Sequence, residues 1–288
     1  MIGRGRATGV SASPLMEHKT VPAPDRYSVV GRSGDFEAVE YANQKDAWQL
    51  ILHKHYAKRI PPISRAFGLH RAGVQVGALT VGQPASRPLC TGLLGIDYSD
   101  RVKELNRLIV GDPLPDNTLS WFVSRALRAL KGTGWAIVSF ADEGAGHHGY
   151  IYQATNWFYL GRSATRTDKY MPGGKHPRHY TNEFAYLRKV RSPKHKYVFA
   201  PDREMRRTIE AKLSHQFQPY PKADNSRYEL GQRIEPLVLD TRTGKFHRDG
   251  PSLVSELSLP IHEVGEGAEA ILQLGTRAVT AIQEEVAS

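Results

Sequence analysis

The sequence predicts an α/β protein, one main domain in which strands alternate with helices. Three observations carry that expectation. Residues 135–140 (WAIVSF) form an apolar run, β-branched and aromatic, of strand length. Behind Asp116 or Asn117 as a cap, Leu119, Phe122, Val123, Ala126, Leu127 and Leu130 share one helical stripe. Residues 64–83 alternate on either side of Arg71, Ala72 and Gly73, the pattern of a β-hairpin whose second strand is VQVGALTVG.

Taken in order, residues 1–32 are rich in Gly, Ser, Pro and Arg without periodicity and read as a flexible basic arm. The globular domain is expected over 33–222. It opens with a helix over 43–56, from the spacing of Ala47, Leu50, Ile51 and Lys54, which Pro61 and Pro62 end, so that His53, His55 and Tyr56 fall in its last turn. The hairpin follows, then a strand over 105–110 and the capped helix. Next come the strand ending near Asp142, a glycine-rich turn, a short helix carrying Tyr152 and an aromatic strand before Arg162. A Pro-Gly-Gly turn between basic arms, further strands and a helix over 205–213 complete the domain. Residues 223–288 form an acidic tail, with an expected hairpin over 235–247 turning at Thr243 and Gly244 and an amphipathic helix over 268–286.

Composition narrows the function classes. No apolar run approaches the roughly 20 residues a membrane-spanning helix needs, and the amino-terminal residues lack the apolar centre of a secretory signal, so a cytoplasmic protein without a membrane partner is expected. Cys90 is the single cysteine, which excludes an internal disulfide and a thiolate metal site held by this chain alone. Residues 150–222 carry fifteen Lys and Arg against five Asp and Glu, a surplus equal to the +10 of the whole chain. Residues 223–288 carry six against eleven. Charge gathered in this way marks a polyanion-binding face, the alternative being a solvated basic surface.

Asp142 lies at the carboxyl end of its strand, where open sheets place ligand-binding groups, and Tyr152 sits in the helix that follows, so both face one crevice. Read without that crevice, Tyr152 is an aromatic that packs. The capped helix offers free backbone N–H groups and the positive end of a helix dipole, a seat for a pyrophosphate, with Ser120 in its first turn. His55 is ordinarily a structural histidine. Arg107 either pairs with Asp142 or Asp112 or binds a phosphate. His147 and His148 are adjacent, point in different directions and read as a capping or substrate-facing pair.

This order of elements resembles the GNAT acyltransferase superfamily. It implies a mixed, mostly antiparallel central sheet flanked by helices, with a basic carboxyl-terminal extension of the sheet. Asn156 stands where that superfamily usually has glycine after its tyrosine, and Asn is the next best residue for a left-handed turn. The segments HKHYAKRIP, LNRLIVGDPLPDNTLSWFVSRAL and SFADEGAGHHGYIYQATNWFYLGRS are together similar to the Mom family of bacteriophage DNA-modification proteins, a GNAT-like branch, with KHKYVFA and PYPK fitting its basic carboxyl part. The similarity spans about 36–222. It implies conversion of adenine N6 in duplex DNA to a methylcarbamoyl-type derivative that shields phage DNA from host restriction. Acetyl-CoA, or another acyl-CoA, and iron are the implied cofactors. Carried over, His55, Tyr56, Asp142 and Tyr152 become iron ligands, and Asp142, Tyr152, Arg107 and Ser120 the residues of the reaction. Asn117, Ser120, Ser124 and Arg107 become the cofactor-binding set.

Adenine N6 lies in a stacked base pair, so an enzyme acting on it has to expose it, most simply by flipping the nucleotide. Double-stranded DNA is therefore the expected partner, with Trp157, Tyr159, Tyr180 and Tyr186 as candidates for stacking on the extruded base. The competing readings are an ordinary N-acetyltransferase of a small amine or protein, and a DNA-binding protein on a degenerate acyltransferase fold. The amphipathic carboxyl helix leaves a homodimer open.

Overall fold

The computed structural model describes residues 21–22, 26–55, 59–111, 114–172, 182–222 and 237–248. Within them the chain runs β1 (Val21–Pro22), β2 (Tyr27–Ser33), β3 (Phe36–Tyr41), α1 (Trp48–Lys54), β4 (Arg65–Arg71), β5 (Val74–Gly82), α2 (Arg87–Leu94), β6 (Val102–Val110) and α3 (Thr118–Ala129). It continues through β7 (Ala136–Asp142), α4 (Tyr150–Ala154), β8 (Phe158–Arg162), β9 (Arg166–Lys169), β10 (Leu187–Arg191), β11 (Lys194–Phe199), α5 (Arg203–Leu213), β12 (Leu237–Asp240) and β13 (Lys245–Arg248).

The main sheet has the order β2-β3-β4-β5-β6-β7-β11-β8, with β1 on β5, and a smaller sheet has the order β13-β12-β10-β9. Every pairing is antiparallel except β6 with β7. The mixed, mostly antiparallel sheet flanked by helices is thus the architecture present. Alternation along the strands sorts the helices. Phe67, Leu79, Leu105, Ile137 and Tyr197 pack with Phe122, Val123, Ala126 and Leu127 of α3 and with Tyr152 of α4. On the opposite face Val102, Val138 and Val198 pack with α2 and α5, and Ala66, Ala78 and Ile109 with Leu50 and Ile51 of α1.

The hairpin of β4 and β5 turns at Ala72 (φ 47°) and Gly73 (φ 75°), the positive dihedrals a two-residue turn demands. Several expectations need correction. Residues 27–32 of the expected arm belong to strand β2, which Gly34 (φ 58°) joins to β3; Gly34-Asp35 is the turn signal. The first helix ends at Lys54, not at the prolines, because His55 is extended (φ −83°, ψ 135°). Helix α2 was missed, although Ser86 caps it and a proline follows at its start. The expected tail hairpin forms, but β12 pairs with β10, so the boundary drawn at residue 222 does not separate it from the basic segment. Residues 1–20, Tyr56, Tyr180 and the expected helix over 268–286 lie outside the described residues.

One feature of the sheet positions the site. The parallel ladder holds only Val102, Lys103 and Glu104 opposite Ala136, Ile137 and Val138, yet β6 runs on to Val110 and β7 to Asp142. The two strands therefore part and leave a slot between them. A bulge explains the parting: Thr80 pairs with Arg107 and Val81 with Leu105, so Asn106 is the extra residue, and a bulge bends its strand and increases the local twist. Asn106 is pinned there, its Nδ2 donating to the Pro62 carbonyl (2.9 Å) and its Oδ1 accepting from the Thr80 hydroxyl (2.6 Å).

Candidate active site

At the apex of the slot, Ser139 of β7 replaces the missing ladder bond by donating its hydroxyl proton to the Leu105 carbonyl (2.9 Å). The same Ser139 hydroxyl lies within hydrogen-bond reach of the Tyr152 phenol oxygen, at 2.8 Å. Tyr152 is buried, its ring 5.0 Å from those of Trp157 and Tyr197. Burial, opposed by the Ser139 hydrogen bond, pushes its pKa up to about 12. At neutral pH this phenol keeps its proton. The helix stops where Asn156 adopts φ 61°, the left-handed turn expected from its identity.

Glu104 closes the apex on the other face of the sheet. Its pKa is raised, chiefly by burial, and the nearby Arg107 and Lys194 cations pull against that rise. Sequence reading passed over this residue; an acid amid the apolar pattern of residues 102–110 was the available signal. Arg107 does not pair with Asp142. It donates to the carbonyls of Asn106 (2.5 Å) and Arg59 (3.0 Å) and so ties down the chain that follows α1.

Asp142 is the last residue of β7. Its Oδ1 accepts from the Gly144 amide (3.0 Å) and the Ser192 hydroxyl, and its Oδ2 meets Lys194 Nζ at 2.8 Å. The His147 amide donates to the Asp142 carbonyl (3.0 Å), which draws the glycine-rich turn back over the strand end. His55 is buried, and its pKa is pushed down to about 3 by burial first, then by the charges of Arg107 and His147. Burial likewise lowers the pKa of His147, against the attraction of Asp142. His55, Arg107, Glu104, His147 and Asp142 thus sense one another on the α1 face. Tyr152 stands on the α3 face and meets them only through the slot.

A second network locks the turn. Arg162 holds Glu143 with both nitrogens (2.5 and 2.8 Å), and His195 bridges Glu143 (2.9 Å) and the Tyr159 hydroxyl (2.7 Å). Tyr197 donates to the His148 carbonyl at 2.6 Å. Gly149 (φ 84°) is required beside it, because a Cβ there would lie 2.4 Å from the Tyr197 ring.

Helix α3 begins near the mouth of the slot. Asn117 occupies the N-cap in a left-handed conformation (φ 64°) and makes no side-chain cap, contrary to expectation. No acidic residue occupies the first turn, so the positive end of the helix is not neutralised from within. Ser120 donates its hydroxyl to the Asn117 carbonyl (3.0 Å), and Ser124 lies one turn further along the same side.

The stacking candidates fare differently. Trp157, just ahead of β8, and Tyr159, within it, are core residues with their rings turned inward. Tyr186 has its ring face covered by the Arg242 guanidinium at 3.3 Å. Tyr150, at the first position of α4, is 66% exposed and presents its ring to solvent.

A profile of the Mom protein family matches residues 37–222, well over half of the chain. The chain belongs to the Mom protein family. Methylcarbamoylase mom of Escherichia phage Mu is 32% identical over 118 residues, which is 39% of this chain and 48% of that protein. The aligned part thus spans about half the length of that curated relative. Similar solved structures include a GNAT family acetyltransferase from Elizabethkingia anophelis with acetyl-CoA bound (8% identity, 58% of this chain and 99% of that one, TM-score 0.36). Another is the ribosomal-protein-S5-alanine acetyltransferase from Vibrio fischeri (7% identity, 62% and 98%, TM-score 0.38).

Of the four residues implied as iron ligands, His55, Asp142 and Tyr152 are described and Tyr56 is not. Among the described residues no three His, Cys, Asp or Glu side chains form a group that could hold a metal ion. The Asp142 carboxylate is engaged by Lys194, Ser192 and Gly144, and His55 and Tyr152 are buried. Likewise among the described residues, no helix is long and apolar enough to cross a membrane.

Proposed function

We propose that this chain is a transferase that modifies the N6 amino group of adenine in duplex DNA, with an acyl-CoA lying in the slot between β6 and β7. The observation that carries the reading is the slot itself, where a buried phenol, Tyr152, and a partly buried carboxylate, Glu104, sense each other's charge from opposite faces of the sheet. The first turn of α3, which holds no acidic residue, suits the cofactor's phosphates, with Asn117, Ser120 and Ser124 alongside. When bound, a thioester supplies an activated acyl carbon and a thiolate leaving group.

The chain's own groups do the rest. Glu104, its affinity for a proton raised by burial, accepts the proton that N6 sheds as it attacks. Tyr152 holds a proton at its hydroxyl for the departing thiolate. Asp142, fixed by Lys194 and Ser192, shapes the carboxyl end of β7 where the base would enter, and Tyr150 offers an exposed ring on which an extruded base can stack. The donor's acyl group ends on N6 and the cofactor leaves as its thiol. The methylcarbamoyl group in the name of the phage Mu relative carries a nitrogen that an acetyl group lacks, so adding that group requires a thioester that already holds a carbamoyl-type group. No step is assigned to iron.

The test is nucleoside mass spectrometry of plasmid DNA from cells expressing the chain, beside Asp142→Ala and Tyr152→Phe. A deoxyadenosine of increased mass in the wild-type sample, absent from both variants, supports the reading. Unmodified deoxyadenosine in the wild-type sample overturns it.

A further inference from the structure

Strands β9 and β10 continue the pair β8 and β11 beyond the main sheet: β8 leads into β9 after three residues, and β10 into β11 after two. Their antiparallel ladder forms a ribbon whose root is the catalytic rim, since Ser192 and Lys194 at the junction both contact Asp142. The ribbon carries Arg166, Lys169, Arg188, Lys189 and Arg191 against a single acid, Asp168. Two of its cross-strand pairs set like charges directly opposite each other, Arg188 with Lys169 and Arg191 with Arg166. Such pairs weaken a ladder, and Arg191 is offset by the Asp168 carboxylate at 2.8 Å.

Side chains alternate along a strand, and the two basic pairs lie three residues apart on β10, so they project from opposite faces. Among the described residues β9 is the outermost strand of its sheet. Positive charge therefore surrounds that strand on both sides. A charged plane such as an anionic membrane calls for charge on one face. A groove walled by two rows of phosphate, about 12 Å wide in the major groove of B-DNA, calls for charge on both.

We propose that the β9–β10 ribbon is a phosphate clamp that sets its exposed basic side chains in a groove of duplex DNA and so holds the duplex against the Asp142 end of the slot. The proposal rests on the DNA reading above and adds which surface grips the duplex. Phosphate contacts of this kind position a duplex without reading its sequence.

The test is fluorescence anisotropy of a labelled duplex over a salt series, with the full chain, comparing wild type with Arg166→Ala/Lys169→Ala. Both residues are exposed on β9. A control, Arg203→Ala/Arg207→Ala, removes equal charge from exposed positions on α5. That helix follows Asp202, which is tied to Gly132 and Gly134 ahead of β7, at the end of the strand opposite Asp142. The expected result is a salt slope shallower by about 2 in the ribbon variant, from roughly 0.9 per lost contact, with the control unchanged. Circular dichroism melts matching wild type show that the fold is intact, and Arg166→Gln/Lys169→Gln repeats the loss should the alanine pair not fold. An unchanged slope in a folded ribbon variant overturns the clamp while leaving the DNA reading standing. Wild type that binds phosphatidylserine vesicles and no duplex overturns both.

Discussion

Lys194, the first residue of β11, stands opposite Asp142, the last residue of β7, and its ammonium lies 2.8 Å from the carboxylate. The pair joins the end of the slot to the root of the basic ribbon, so whatever sits at one is felt at the other. Both groups keep some exposure, which limits the contribution of the ion pair to about 0.5–1 kcal/mol. Lys194→Met should lower the thermal midpoint only slightly, yet it should reduce the modified fraction of deoxyadenosine well below wild type. A melt shifted by a large margin would mean that the pair is structural.

Tyr152→Phe removes one hydroxyl from a buried site and leaves Ser139 bonded to the Leu105 carbonyl. A stability loss of about 1 kcal/mol is expected, because one neutral hydrogen bond goes and its partner keeps another. Modification should fall by about 10²–10⁴-fold, the range for a lost general acid. Intact modification in the variant would make the phenol a packing residue.

Glu104→Gln keeps shape and removes the proton-accepting carboxylate at the slot apex. Loss of a partly buried charge that needs compensation should leave the melting temperature unchanged or raised, while modified deoxyadenosine disappears. Retained modification would exclude Glu104 as the base.

His55 predicts the acid limb of stability. Its folded pKa, about 3, lies below the unfolded value near 6.5, so between these pH values the unfolded chain binds the extra proton. Stability is therefore full above about pH 6.5 and is lost as pH falls, at up to about 1.4 kcal/mol per unit for this one group. His147, His70 and His195, also lowered by burial, add in the same direction. Urea melts from pH 7.5 to 4.5 should show the decline, and His55→Asn should flatten it. An unchanged pH slope in the folded variant would place the ring in water.

Gly149→Ala should be far more damaging than Gly34→Ala, although both positions have positive φ. At Gly34 the new methyl meets nothing within 4 Å and costs about 1 kcal/mol of backbone strain. At Gly149 it meets the Tyr197 ring, whose hydroxyl is bound to the His148 carbonyl, so the turn over Asp142 has to move. Comparable melts for the two variants would refute this account.

Local pattern was enough for the hairpin at Ala72 and Gly73, the stripe of α3, the placement of Tyr152 one short helix after Asp142, and the left-handed Asn156, because each rests on periodicity or on the dihedral preference of one residue. Tertiary structure alone decided that β6 and β7 part after Glu104, that Lys194 and Ser192 capture Asp142, and that Trp157 and Tyr159 turn inward while Tyr150 faces out. Those outcomes depend on a bulge at Asn106 and on the register between strands distant in sequence. A shift of one residue in either would move every side chain to the other face, and no local window of the sequence carries that choice.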